Sequence, residues 1–157
     1  MPEITELAEK LKSEGEKFAA IFAALTDEQW GIEVYTEGAV WTIRNVLAHL
    51  VTAERAFLTQ LFPNVRAGGG GASEDFSIDR YNARQQEKTR ELAPRELLEQ
   101  YKTMRAGMID WIAALDESDL EKIGRHPFLG LTTLREMIKT VYVHNQLHYR
   151  DIKKALK

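Results

Sequence analysis

The chain has 157 residues, of which 44% are hydrophobic and 29% charged, a balance typical of a globular protein with its own core. We expect residues 1–157 to form a single domain. The formal net charge of −3 offers no basic footprint for nucleic acid. The chain contains no cysteine, which excludes disulfides, cysteine-ligated zinc and thiolate nucleophiles.

No apolar run approaches the roughly 18 residues of a membrane span, so we expect no membrane partner. The first residues lack the basic and apolar regions of a signal peptide. Together with the absence of cysteine, this favours a cytoplasmic location.

The spacing of apolar residues predicts four principal helices, which need one another to bury their apolar faces. Thr42 is expected to cap the second helix and Pro63 to end it. Pro94 suits the start of a new segment, so the third is predicted to be one long, bent or broken helix. Thr133-Leu134-Arg135-Glu136 is a capping box that opens the last. The four lie at about residues 3–25, 42–61, 78–115 and 133–155.

The segments between the helices show loop chemistry. Val34 and Tyr35 could be extended, but a single extended segment has no partner, and we expect no strand pair. Gly68-Gly69-Gly70-Gly71 is interpreted as a flexible crossover or a mobile lid over a site. It lacks the Gly-Lys-Ser/Thr sequence of a phosphate-binding loop. The sequence shows no internal repeat at a fixed period.

Three of the four histidines are candidates for one site. His144 and His148 are four residues apart, so they share one face of the last helix, within its apolar stripe. Such a pair either binds a metal ion or forms buried hydrogen bonds. His49 lies on the shoulder of the apolar face of the second helix and could complete a three-histidine site. His126 is interpreted as a loop residue outside the site.

Several familiar metal and hydrolase sites are disfavoured. Asn145 stands where the His-Glu-x-x-His motif of metallopeptidases has its general base. Glu54 and Glu136 lack the histidine partners of a di-iron bundle. No nucleophile-elbow pattern indicates a serine hydrolase, and nothing selects haem.

Three short motifs occur in an order that resembles the DinB-like superfamily. They are residues 38–51, which contain Trp41-Thr42-Ile43 and His49-Leu50, then Ile78-Asp79-Arg80-Tyr81-Asn82, and finally His144-Asn145-Gln146-Leu147-His148. The resemblance implies an all-α, up-down-down-up four-helix bundle with a long crossover. It also implies that His49, His144 and His148 hold a divalent metal, zinc or nickel. Family members include transferases and isomerases that use low-molecular-weight thiols such as mycothiol or bacillithiol.

We therefore expect a metal-dependent enzyme that acts on a small electrophilic molecule, either a thiol-dependent S-transferase or a hydrolase. Trp41, Tyr81 and Tyr142 are candidate pocket walls. Asn145 and Glu54 could orient a ligand or bound water, or could instead form hydrogen bonds between helices. The alternatives are a non-catalytic homodimeric bundle with a structural or vestigial metal site, and a stress protein that binds a small hydrophobic ligand.

Overall fold

The computed structural model describes residues 2–157, which form helices joined by short turns and two small hairpins. In chain order the elements are α1 (Glu3–Ala23), a first 3-10 turn (Gln29–Gly31), β1 (Glu33–Tyr35), β2 (Trp41–Thr42), α2 (Ile43–Ala56), a π turn (Phe57–Leu61), α3 (Phe62–Arg66), α4 (Ile78–Thr89), α5 (Pro94–Ala113), a second 3-10 turn (Glu117–Glu121), β3 (Ile123–His126), β4 (Gly130–Thr133) and α6 (Leu134–Ala155).

Four of these helices, α1, α2, α5 and α6, build the bundle. Helix α1 lies against α5 and α6, and α2 lies against the same two helices. Their apolar stripes meet in a core that includes the fully buried Leu11, Leu47, Met108 and Ile138. The predicted four-helix bundle is confirmed, and so is the predicted break in the third helical region, which falls between α4 and α5. Across residues 2–157, no helix has both the length and the apolar character needed to cross a bilayer.

The expectation that Pro63 ends the second helix is wrong. The chain passes from α2 through the π turn into α3 and stays helical to Arg66. Pro63 lies in the first turn of α3, where a missing backbone N–H removes no hydrogen bond within that segment. The π turn widens the helix locally, as such turns often do beside functional sites.

The expectation that no strand pair forms is also wrong. Two antiparallel hairpins are present, β1–β2 and β3–β4. Their strands are two to four residues long, too short for alternation of polar and apolar residues to be visible in the sequence. Each hairpin leads directly into a bundle helix, so packing on the bundle supplies the stability that an isolated hairpin lacks.

The two halves of the bundle repeat one order of elements, although the sequence shows no repeat. Helix α1, the first 3-10 turn, the first hairpin and α2 correspond to α5, the second 3-10 turn, the second hairpin and α6. In both halves the residue that opens the second helix donates its backbone N–H to the residue that follows the 3-10 turn. The two distances are 2.9 Å from Ile43 to Ile32 and 2.8 Å from Leu134 to Lys122. The repeat is therefore one of structure, with divergent side chains.

The glycine-rich crossover is tied to the second hairpin. The Arg125 backbone N–H donates to the Gly70 carbonyl, and the Ala72 N–H donates to the Arg125 carbonyl, both at 2.8 Å. The N–H of Gly71 donates to Asn64 Oδ1 at 2.8 Å. Gly71 has a φ of +83°, and a Cβ there would lie 2.5 Å from the Arg125 backbone N and O. Only glycine fits this position without displacing β3.

We predict that Gly71→Ala lowers the free energy of unfolding by about 1–3 kcal/mol, because the new Cβ meets the β3 backbone and the residue must keep a positive φ. Gly70→Ala is the matched control, since a Cβ at Gly70 meets no atom within 4 Å. Urea denaturation of the two variants measures the difference. Equal stabilities would contradict the proposed backbone constraint.

A buried polar network joins all four bundle helices. The guanidinium of Arg105 on α5 donates to Glu54 Oε1 on α2, at 2.5 Å from Nη2 and 3.2 Å from Nε. It also donates to the Leu11 carbonyl on α1 at 2.9 Å and to Asn145 Oδ1 on α6 at 2.7 Å. Asn145 Nδ2 donates to Glu54 Oε2 at 2.8 Å, and the Tyr101 hydroxyl donates to Asn145 Oδ1 at 2.9 Å.

This network places Glu54 and Asn145 in the core, at 0% exposure. Of the two roles considered for them, hydrogen bonding between helices is the one that the structure shows. The Glu54 carboxylate and the Asn145 amide are hydrogen-bonded to Arg105 and to each other. Such partners are needed because a buried charge without them is unstable. Gly15 on α1 makes room for Arg105, since a Cβ there would lie 2.9 Å from the guanidinium Nη1.

We predict that Glu54→Leu destabilises the fold by about 3–5 kcal/mol, because it leaves the Arg105 charge buried without a counter-ion. The double variant Glu54→Leu/Arg105→Met should recover much of that loss. Chemical denaturation of Glu54→Leu, Arg105→Met and the double variant gives the coupling free energy between the two residues. A cost below about 1 kcal/mol for Glu54→Leu would show that the pair does not stabilise the bundle.

Candidate metal centre

Three histidines from two helices meet in the structure. His49 lies on α2, and His144 and His148 lie one turn apart on α6, which packs against α2. His144 Nε2 is 3.1 Å from His49 Nε2 and 2.9 Å from His148 Nε2. Across residues 2–157, this trio is the one group of three histidine, aspartate or glutamate side chains whose ligand atoms all lie within 4.8 Å of one another.

The two shortest distances between the histidine nitrogens fit ligands of a single metal ion. Imidazole nitrogens bind Zn²⁺ at about 2.0–2.1 Å, so two ligands at an angle between 90° and tetrahedral lie about 2.9–3.4 Å apart. The two short Nε2 distances fall within that range. Three ligands on one side of the ion leave positions on the opposite side open, as in catalytic rather than structural zinc sites.

All three imidazoles are held in the neutral form that binds metals. Burial, and then the neighbouring His144, lower the pKa of His49 to about 3. Burial, and then His144 and His49, lower the pKa of His148 to about 2. Burial also lowers the pKa of His144. Each neutral ring therefore keeps one nitrogen lone pair that can bind a cation at neutral pH.

His148 is oriented by two residues that the sequence reasoning missed. The Tyr35 hydroxyl donates to Asp151 Oδ2 at 2.6 Å and lies 2.8 Å from His148 Nδ1. Because the tyrosine proton goes to the carboxylate, its oxygen accepts from His148 Nδ1–H, which leaves the Nε2 lone pair facing the other two histidines. The His148 and Asp151 spacing was a signal in the sequence, since residues three apart share a helix face. Tyr35 reaches α6 only because β1 packs there.

A cavity of about 560 Å³ opens in front of the three histidines. Trp41 and Tyr81, two predicted pocket walls, both line it. The Trp41 ring lies 5.0 Å from the His49 ring, and the Tyr81 hydroxyl donates to the Thr52 carbonyl at 3.1 Å. The other lining residues are Ala53, Ala56, Phe57, Gln60, Leu61, Asn64, Gly71, Ala72, Phe76, Ile78, Asn82, Pro127 and Phe128. The crossover, the π turn and the second hairpin thus all contribute to its walls.

Tyr142, the third predicted pocket wall, lies apart from this cavity. Its ring faces α1, where the Lys10 ammonium lies 5.7 Å from the ring centroid. Tyr142 is two residues before His144, and residues two apart on a helix point to different faces. Its helix position therefore directs it away from the site.

His126 stays outside the three-histidine cluster, as expected, but it is a buried strand residue rather than a loop residue. Its Nδ1 accepts from the backbone N–H groups of Phe128 and Leu129, at 3.3 and 3.4 Å. Its ring packs against Phe57 and Phe128, which line the cavity. Burial lowers the pKa of His126 to about 4, so this ring is neutral as well.

Comparison with known proteins agrees with this arrangement. The family model described as the DinB superfamily matches residues 10–152. YfiT from Bacillus subtilis, described as "a probable metal-dependent hydrolase with an unusual four-helix bundle topology", has a similar fold, with a TM-score of 0.78 and 16% identity over 97% of this chain and 85% of that one. An uncharacterised protein from Escherichia coli UTI89 has a TM-score of 0.70 and 13% identity over 97% and 90% of the two chains. No curated protein matches the chain.

The two structural matches are too distant in sequence to show more than a shared fold. The family match is different, because it covers most of the chain and spans all three histidines. It also spans the three motifs on which the resemblance in the sequence was based. The chain therefore belongs to the DinB superfamily.

Proposed function

We propose that this protein is a metal-dependent hydrolase whose divalent ion is held by His49, His144 and His148. One observation carries the proposal: three neutral imidazoles bring ligand nitrogens within 4.8 Å of one another on the wall of an open cavity. YfiT, which shares the fold, is itself described as a probable metal-dependent hydrolase. Zinc and nickel both suit a site built of imidazoles.

The donor set and the cavity together favour catalysis over a structural role. A structural zinc site is closed by four protein ligands, whereas this one has three and faces a cavity. When bound, a divalent metal supplies Lewis acidity, which polarises a carbonyl oxygen and lowers the pKa of a water ligand to about 7. Three uncharged ligands leave the full charge of the ion in place for that purpose.

The residues around the histidines prepare the site. Tyr35 and Asp151 hold the His148 ring in one tautomer, and Trp41 packs against the His49 ring. The apolar walls lower the local dielectric constant, which strengthens electrostatic interactions at a carbonyl bound there. Hydrolysis there would place the hydroxyl of water on the carbonyl carbon and its proton on the leaving group.

We predict that the double variant His144→Ala/His148→Ala loses the metal, falling from about one ion per chain to near none, because one histidine cannot hold the ion alone. Elemental analysis of purified protein measures this. Gln146→Ala, an exposed position between the two histidines, is the control and should keep its metal. A double variant that holds metal as tightly as the parent would refute the assignment.

We further predict that Tyr35→Phe weakens metal binding by about 10–100-fold, because His148 loses the hydroxyl that fixes its tautomer. Asp151→Asn should weaken binding in the same direction. Tyr142→Phe removes a hydroxyl from a tyrosine beside α1 and should leave the affinity unchanged. Competition with a chromophoric chelator gives the dissociation constants. Equal affinities of the Tyr35 and Tyr142 variants would show that the hydroxyl plays no part.

A further inference from the structure

We infer that the part of the substrate that lies in the cavity, beyond the group that meets the metal, is uncharged and largely apolar. This inference rests on the proposed hydrolase and names its substrate class. Its basis is the wall of the cavity: no lysine, arginine, aspartate or glutamate is among the side chains that line it within residues 2–157. Apart from the three neutral histidines, its polar side chains are uncharged amides, the indole of Trp41 and the hydroxyl of Tyr81.

Two arginines on the surrounding elements have partners outside the set of lining residues. Arg125 on β3 pairs with Glu74 at 3.0 Å, which neutralises its charge outside the cavity. Arg55 on α2 donates to Gln100 on α5 at 2.9 Å. Neither arginine is among the residues that line the cavity. Away from the metal, a bound carboxylate or ammonium group would therefore lose its water without gaining a counter-ion from the lining side chains, and that loss is far larger than for a neutral amide or ester.

The entrance has the same apolar character as the walls. Phe76 and Phe128 line the cavity and are 40% and 55% exposed, so two aromatic rings remain open to solvent beside it. Aromatic side chains that border a cavity in this way suit contact with an apolar ligand. The volume of about 560 Å³ suits a molecule with one or two rings.

This substrate class disfavours a transferase that uses a charged thiol, one of the activities that the sequence resemblance implied. Bacillithiol, unlike mycothiol, carries carboxylates and an ammonium group, which need charged partners in a binding site. The cavity provides none among its described lining residues. A neutral ester or amide needs only apolar contacts and a few hydrogen bonds, and the cavity offers both.

The test compares three probes of nearly equal shape: 2-naphthylacetamide, which is neutral, 2-naphthylacetate, which is anionic, and 2-(2-naphthyl)ethylammonium, which is cationic. Titration calorimetry uses the full-length protein with a chelator present, so that the carboxylate gains nothing from a metal. We expect the amide to bind about tenfold or more tightly than either charged probe. Equal or tighter binding of a charged probe, or no binding of the amide at millimolar concentration, would overturn the inference.

A cation placed in the wall should reverse the preference. Ala56 at the end of α2 lines the cavity, and Ala56→Lys is expected to lower the ratio of amide to carboxylate affinity at least about tenfold. Ala56→Met has a similar length without the charge and should keep the parent ratio. An unchanged ratio in the lysine variant would contradict the assignment of the cavity as the binding site. These titrations contain no free metal. A negative result would therefore overturn the inferred substrate class without affecting the metal-binding test of the proposed hydrolase.

Discussion

The ion pair between Arg105 and Glu54 is the interaction on which the rest of the structure depends. Two opposite charges at the centre of a bundle are stable only when every donor and acceptor finds a partner, and here Asn145, Tyr101 and the Leu11 carbonyl complete the set. Because the partners come from all four bundle helices, the geometry that satisfies them also fixes how far each helix is rotated and shifted against the others. Apolar packing alone tolerates small shifts, whereas this hydrogen-bond network does not.

The geometry of the three-histidine cluster depends on this fixed alignment of the helices. Glu54 follows His49 on α2 by five residues, and Asn145 follows His144 directly on α6, so the bond between Glu54 and Asn145 holds the two histidine-bearing helices together beside the site. The structural repeat adds a second constraint, because each of these helices begins at a hairpin anchored to the preceding 3-10 turn. One of those hairpins carries Tyr35 to His148, and the other carries Phe128 to the cavity. The same elements thus set both the ligand geometry and the apolar walls.

Much of the fold could be predicted from local patterns. The helices are amphipathic over many turns, so their number and approximate ends follow from the spacing of apolar residues. The errors fall where a local rule competes with tertiary contacts. Pro63 was expected to end a helix but lies in the first turn of α3 after a π turn, and the short hairpins are stable only against the bundle. Glu54 and Asn145 are polar residues whose role depends on a partner, Arg105, that lies far away in the sequence.

By itself, the sequence determined that the protein is helical and that His144 and His148 share one helix face, because both follow from a backbone periodicity of 3.6 residues within a single segment. It also indicated the family through the order of three motifs. Only the tertiary structure decided that Tyr35 and Asp151 orient His148, that Tyr142 points elsewhere, and that the cavity wall carries no charged side chain among the described residues. These features depend on the rotation and register of separate helices, and those are set by long-range packing and by the buried network, which no local pattern of residues encodes.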